Sequence, residues 1–321
     1  IRHYEYMIYV YIPHLTLKFV FLKISIIGST VFLILVIVMY FGVYNEIEEI
    51  SIQKEPEYMS IKNGNQTILF EVEDVQGVKL TKWANGDLFD VFGNVEDIRI
   101  EFGEPALKKG VFVLKPELTE IYNQIGVYHE ENKSVIIIPI FTASAYSENG
   151  FYDFYEKKCE NCTTTKILTE KELVSTSSAN AVKILKLLGY DSITDVELDK
   201  NPNLISEYNK IIILHNEYVT KKMFNAITSH PNVIYLYPNA LYAEIDVNYE
   251  KNEITLIRGH NYPESEILNG FNWEFENTPY EYDKKCENWE FYDIPNGKML
   301  NCYPEQKIWQ DKDLLKMLKE F

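Results

Sequence analysis

Residues 211–242 (IIILHNEYVTKKMFNAITSHPNVIYLYPNALY) set apolar runs against polar punctuation so as to specify three elements. The first run, 211–214, stops at His215, Asn216 and Glu217. Thr220 then offers an N-cap to a helix-period segment, 221–229, and a second apolar run, 233–237, stops at Pro238-Asn239. Strand, helix and strand within about thirty residues is the βαβ signature of a parallel sheet. Ligands of open α/β sheets sit beyond the carboxyl ends of the strands. His215, Glu217 and Asn239 fall at such ends.

The same reading extends along the chain. Residues 134–141 (SVIIIPIF) form a continuous apolar run, which suits a central parallel strand covered on both faces. A long loop rich in aromatics is expected over 142–176. Residues 178–188 place Ala181, Ile184, Leu185 and Leu188 on one helical face and end at Gly189, a C-cap signal. A strand is expected at 192–198, a helical turn at 204–208, and a hairpin from 243–249 and 253–257 around Glu250-Lys251-Asn252. The tail, 259–321, reads as aromatic and irregular until an amphipathic helix at 311–319. Upstream, 59–131 is β-like, with alternation at 67–72 and turn signals at Asn63-Gly64, Asn85-Gly86 and Gly93-Asn94; a short helix is expected at 118–126. Strands alternating with helices make the class α/β, a flavodoxin- or glutamine-amidotransferase-like three-layer arrangement around a parallel sheet.

Residues 24–43 carry no charge and are long enough for a membrane-spanning helix, since ~20 residues cross the hydrocarbon core. Arg2, Lys18 and Lys23 precede them; Glu46, Glu48 and Glu49 follow. The positive-inside rule puts the N-terminus in the cytoplasm and the rest outside. A cleaved signal peptide would have a shorter apolar core and a small-x-small site before Asn45, and neither is present. The first residue is Ile1, so the start codon is expected at Met7 or upstream. The expected organisation is a cytoplasmic segment (1–18), a transmembrane helix (19–44), a stalk (45–58), a β-rich segment (59–133) and an α/β domain with an aromatic tail (134–321).

Charge narrows the function. Residues 1–44 carry Arg2, Lys18 and Lys23 against Glu5, a net +2, so of the chain's −17 the remainder holds −19. Phosphate binding needs positive potential, so nucleic acid is excluded as a main partner; such acidity suits solubility outside the cell. There an even number of cysteines indicates disulfides. The simplest pairing is Cys159–Cys162 and Cys286–Cys302, with cross-pairing also open and the CxxC spacing alternatively half of a zinc site. Asn65, Asn132 and Asn161 begin glycosylation sequons that this topology would expose.

His215 and Glu217 stand two residues apart at a strand end, and a His–carboxylate pair serves general-base work or metal ligation. Alternatively Glu217 simply starts the next helix, where an acid complements the dipole. Tyr146 follows the 134–141 strand and shares the crevice in a flavodoxin-like order, although with 24 tyrosines in the chain a packing role is the simpler one. Asn239 caps or turns the chain after Pro238, and His230 and His260 read as surface residues beside turns. No Gly-x-Ser-x-Gly, P-loop or dinucleotide-binding fingerprint occurs, which argues against a serine hydrolase of that type and against a nucleotide enzyme.

Leu214-His215-Asn216-Glu217-Tyr218, a helix opening Thr220-Lys221-Lys222-Met223, and then Asn239-Ala240-Leu241-Tyr242 resemble the C-terminal domain of the N,N-dimethylformamidase large subunit. The tail from Cys286 through Asn296-Gly297 to Pro304 is similar to membrane-anchored members in ammonia-oxidising archaea. The resemblance covers approximately 134–303. It implies a glutamine-amidotransferase-like fold and a mononuclear iron held by two tyrosines and a glutamate. Glu217 would then be the carboxylate ligand and Tyr146 one tyrosine, with Tyr152 and Tyr155 candidates for the other. His215 and Asn239 would support the ligands or orient substrate. Val219 departs from the family's Trp, and His230-Pro231-Asn232 replaces a Gly-Gly turn.

Two functions follow as expectations. The first is a non-catalytic, membrane-anchored extracytoplasmic module that binds a cell-surface protein or glycan through the aromatic segments 146–155 and 271–292; the competing use of those aromatics is to cover the sheet. The second is an iron-dependent hydrolase of a C–N amide bond acting on a small amide.

Overall fold

The computed structural model describes residues 57–321 apart from 64, 65, 76, 102, 103, 108, 129, 132 and 276. The expected membrane span, the stalk up to residue 56 and the sequon residues Asn65 and Asn132 lie outside the described residues. Among the described residues no helix is long and apolar enough to cross a membrane. Glu57–Phe321 forms one compact unit of mixed α/β type, with antiparallel sheets beside a largely parallel one.

The N-terminal part is antiparallel. Strands β1 (Glu57–Asn63), β2 (Gln66–Val75), β3 (Val78–Asn85) and β4 (Phe89–Gly93) follow one another. A two-stranded ribbon of β5 (Ile98–Glu101) and β6 (Glu104–Leu107) intervenes before β7 (Val111–Leu114) closes the five-stranded order β1-β2-β3-β4-β7. The β2–β3 turn works because Gly77 adopts φ +82°, and its N–H donates to Asp74 Oδ1 at 2.8 Å. Phe89, Val91 and Phe112 turn inward onto Tyr122 of helix α1 (Thr119–Ile125), and Tyr122 donates its hydroxyl to the Leu88 carbonyl at 2.6 Å. This sheet and the α/β layers therefore share one apolar core.

The central sheet begins with β8 (Ser134–Ile138), every residue of which is buried. The chain then forms α2 (Ile140–Ala145), α3 (Phe151–Tyr155), β9 (Thr164–Lys166), α4 (Ala179–Leu187), β10 (Asp191–Thr194), α5 (Asp195–Lys200), β11 (Lys210–Ile213), β12 (Tyr218–Val219), α6 (Lys221–Ser229) and β13 (Val233–Tyr235). A hairpin of β14 (Ala243–Asn248) and β15 (Glu253–Arg258) precedes a tail containing β16 (Phe291–Ile294), β17 (Gly297–Leu300) and α7 (Lys312–Glu320). Strands β10, β8, β11, β13 and β17 lie side by side in that order, all parallel, with β16 antiparallel at the edge. Alternate residues of β8 feed two cores, Ile136 and Ile138 one and Val135 and Ile137 the other. Burial on both faces is why this strand lacks polar alternation. A smaller sheet, β12-β14-β15-β9, stands beside it.

Three segments differ from the sequence reading. The strand expected over 192–198 ends at Thr194, where a reciprocal cap begins α5. Glu197 N–H donates to Thr194 Oγ1 at 3.1 Å, and Thr194 N–H donates to Glu197 Oε2 at 2.7 Å. The loop expected over 142–176 opens inside α2 and also holds α3 and β9, elements too short for a visible period. The tail supplies two strands to the main sheet. Gly297 makes that fit possible, since a Cβ there would come within 1.8 Å of the Val233 carbonyl oxygen. Both nearest-neighbour cysteine pairs, Cys159–Cys162 and Cys286–Cys302, are disulfide-bonded. Disulfides persist in oxidising surroundings, so the folded unit is extracytoplasmic.

Candidate functional site

The parallel order reverses direction around β8, because β10 lies on one side of it and β11 on the other. In open α/β sheets the usual place for a ligand is where the chains leave two such strands on opposite sides, here after β8 and β11. Tyr146 comes from the first of these connections and Glu217 from the second.

Each is fixed by its own local structure. Helix α2 is pinned at its start by Asp195, whose Oδ2 accepts the Phe141 N–H at 2.8 Å. Its Thr142 Oγ1 accepts the Glu217 N–H at 3.0 Å, which ties the two connections together. Beyond β11 the chain turns tightly: Asn216 N–H donates to the Leu214 carbonyl at 2.7 Å, and Leu214 N–H donates to Asn216 Oδ1 at 3.0 Å. Glu217 then passes its carbonyl to the N–H groups of Tyr242 and Ala243, both at 2.9 Å. Asn239 and Leu241, in the connection after β13, adopt φ +58° and +57°. Such conformations are unfavourable for residues other than glycine and recur at functional sites.

The carboxylate of Glu217 is fully buried and surrounded by polar groups. Tyr146 donates its hydroxyl to Glu217 Oε2 at 2.7 Å, and Tyr152 donates to the Tyr146 oxygen at 2.8 Å. The two phenol rings stack with centroids 4.2 Å apart. His260 Nε2 donates to Glu217 Oε1. His215 Nε2 stands 3.6 Å from Glu217 Oε2. Its Nδ1 lies 2.6 Å from the Thr176 carbonyl, which can only accept, so Nδ1 carries the proton. Nε2 has no hydrogen-bond partner; nor do Asn216 Nδ2 and Asn239 Oδ1.

Burial alone would raise the Glu217 carboxyl, but the charge and hydrogen bond of His260, with His215 and Tyr146 beside it, bring it below its ordinary value. The Tyr146 hydroxyl is pushed well up, first by burial and then by the Glu217 charge. Tyr152 shifts the same way for the same two reasons. An ionised carboxylate facing two phenols that hold their protons is an arrangement a cation would reverse, since a bound metal favours phenolate oxygens.

The donor chemistry fits a hard cation. Three oxygens stand in a chain, Tyr152 hydrogen-bonded to Tyr146 and Tyr146 to Glu217, with an imidazole nitrogen alongside lacking a partner. Among the described residues no group of three or more His, Cys, Asp and Glu side chains is placed to hold a metal, so such a site depends on the phenols. Tyr155 is not part of the chain of hydroxyls: it accepts from Tyr218 at 3.2 Å instead. Gly150 lets Tyr152 fold back onto Tyr146, because a Cβ there would meet the Ala145 carbonyl oxygen at 2.4 Å.

His260 and His230, read from sequence as surface residues, are both drawn inward. His230 is buried between the Tyr208 and Asn232 carbonyls, at 3.1 Å from each. His260 sits on Glu217, and no spacing signal could have joined residues 43 apart in the sequence. Of the aromatics expected at the surface, Tyr152, Phe154, Trp273 and Trp289 are half-buried, whereas Tyr282 is 81% exposed. Asn161 is exposed, as glycosylation requires.

No protein-family model matches the chain, and no curated protein matches it.

Proposed function

We propose that this protein is a membrane-anchored, extracytoplasmic hydrolase of a C–N amide bond whose metal, iron by the resemblance to N,N-dimethylformamidase, is held by Tyr146, Tyr152 and Glu217. The observation that carries this reading is the Tyr146 hydroxyl, 2.7 Å from Glu217 and 2.8 Å from Tyr152, at the crevice where the parallel order reverses. That order, numbering the parallel strands along the chain, runs 2-1-3-4-5, which supports a flavodoxin-like fold with its usual ligand position.

When bound, the metal supplies Lewis acidity and lowers the pKa of a coordinated water. The protein supplies the rest. His215, locked by Thr176, presents Nε2 as a proton acceptor beside the ligands. Asn216 Nδ2 and Asn239 Oδ1 offer one donor and one acceptor without partners, the complement of an amide group. Glu217 is fully buried and Tyr146 and Tyr152 are half-buried, so solvent and substrate reach the cluster from the phenol side.

The test is metal analysis and amide hydrolysis by the detergent-solubilised full chain. One iron per chain, with hydrolysis of small N-substituted amides that disappears on chelation, is the expected result. A chain expressed in iron-rich medium that carries no transition metal above background sinks the proposal. Anchoring is tested separately: protease outside intact cells should release the acidic unit, and protection until lysis would reverse the orientation.

One observation favours a second reading, a module that binds a surface protein or glycan. Leu268 and Tyr282 are 57% and 81% exposed in the tail. Unchanged partner or glycan binding after Leu268→Ser and Tyr282→Ser would remove its basis.

A further inference from the structure

Glu217 has two carboxylate oxygens with different neighbours. Oε2 faces the Tyr146 hydroxyl at 2.7 Å and His215 Nε2 at 3.6 Å, whereas Oε1 is taken by His260 Nε2. His260 comes from just past the end of β15, in the smaller sheet whose strand β12 begins right after Glu217, and the chain there is bent to deliver it. Gly259, His260 and Asn261 have φ of +127°, +51° and +62°. The bend is held by reciprocal bonds between Gly259 and Tyr262, at 2.9 and 3.0 Å, and by His260 N–H on the Leu268 carbonyl at 2.9 Å. The imidazole packs against Tyr242, Tyr155 and Tyr218, with centroids 4.5, 5.2 and 5.7 Å away. A histidine held in left-handed backbone, walled by three aromatic rings and directed at one carboxylate oxygen has very little freedom to do anything else.

We infer that His260 is a positioning residue which, by occupying Oε1, holds Glu217 as a one-oxygen ligand presenting Oε2 to the tyrosine pair. The inference rests on the metal reading of this site and adds a residue to it. A glutamate can bind a cation through one oxygen or both, and it can rotate between the two modes. A donor fixed on one oxygen removes that choice. It also keeps the buried carboxylate aligned before any cation arrives, so less reorganisation accompanies binding. His260 cannot itself ligate in this arrangement, because the nitrogen facing the site is spent on Oε1. The carboxylate thus has a separate partner for each oxygen, Tyr146 from the connection after β8 and His260 from the end of β15.

The experiment compares wild type, His260→Ala and His260→Gln as detergent-solubilised full chains. Iron affinity is measured by chelator competition, the phenolate-to-ferric-iron absorption band by visible spectroscopy, and apo-protein stability by thermal unfolding. Loss of the donor in His260→Ala should weaken iron binding about 10- to 100-fold and displace the band, by more than the accompanying loss of apo stability accounts for. Glutamine keeps an N–H within reach of Oε1 and should restore most of the affinity and the band position. Wild-type affinity and an unmoved band in His260→Ala overturn the inference and leave the metal reading standing. Equal losses in both variants, in step with apo stability, also overturn it, because the role is then packing alone. A wild-type chain that takes up no iron overturns both.

Discussion

Tyr237 donates its hydroxyl to Glu305 Oε2 at 2.5 Å in a place where neither side chain reaches solvent. Glu305 Oε1 also accepts the Asn180 N–H at 2.8 Å, so a carboxyl from the tail caps the start of α4. The ring of Tyr237 is in turn stacked near His215, 6.1 Å between centroids. The tail thereby supports the layer on which the site is built.

This contact has a pH signature. Burial pushes Glu305 up from 4.5 to about 8, against the opposing pull of Tyr237 and the helix N–H groups. An unfolded glutamate loses its proton near its ordinary value, while the folded one keeps it until about 8. Folding takes up a proton in between, so stability falls as pH rises from about 4.5 to about 8 and then levels off. The contribution is on the order of a few kcal/mol. Denaturant unfolding of wild type and Glu305→Gln across this range should show the decline in wild type and a flatter profile in the variant. Parallel profiles would mean that Glu305 is ionised throughout.

The Cys286–Cys302 bond closes a loop around the β16–β17 hairpin, with both sulfurs buried in the core. In the chain-entropy model a loop of about 15 residues is worth ~3 kcal/mol through restriction of the unfolded state. Cys302→Ser should therefore lower the unfolding midpoint clearly, with reductant doing the same to wild type and metal content unchanged. If reductant leaves the wild-type midpoint where it was, the bond contributes nothing to folding.

Tyr152 and Tyr155 stand three residues apart on α3 yet face different partners, Tyr146 and Tyr218. Removing one hydroxyl costs about 0.5–1.5 kcal/mol of stability in either case. Tyr152→Phe should also lower metal content and amide hydrolysis at least about tenfold, as expected for a lost ligand, whereas Tyr155→Phe should leave both near wild type. The reverse pattern would assign the second phenol ligand to Tyr155.

Much of the central sheet was written in local pattern. The runs 134–141 and 211–214 lack polar alternation because both faces of the strands they contain are covered, a condition that marks the sequence itself. Thr220 announces α6 because its N-cap hydrogen bond joins residues three apart. The strand-end positions of Glu217 and Tyr146 were visible for the same reason: each is set by the element just before it.

What no local pattern held was the pairing of distant segments. Tyr146 meets Glu217 only because β8 and β11 are neighbours, and Tyr152 rather than Tyr155 joins them because Gly150 lets α3 fold back. His260 looked like a turn residue because its partner lies 43 residues away in the sequence. The β16–β17 edge was hidden because four-residue strands carry too short a period to read, and what places them is Gly297 against Val233. Hydrophobic periodicity records which face of an element is buried; which other element buries it is fixed by close packing, and that information exists only in the folded chain.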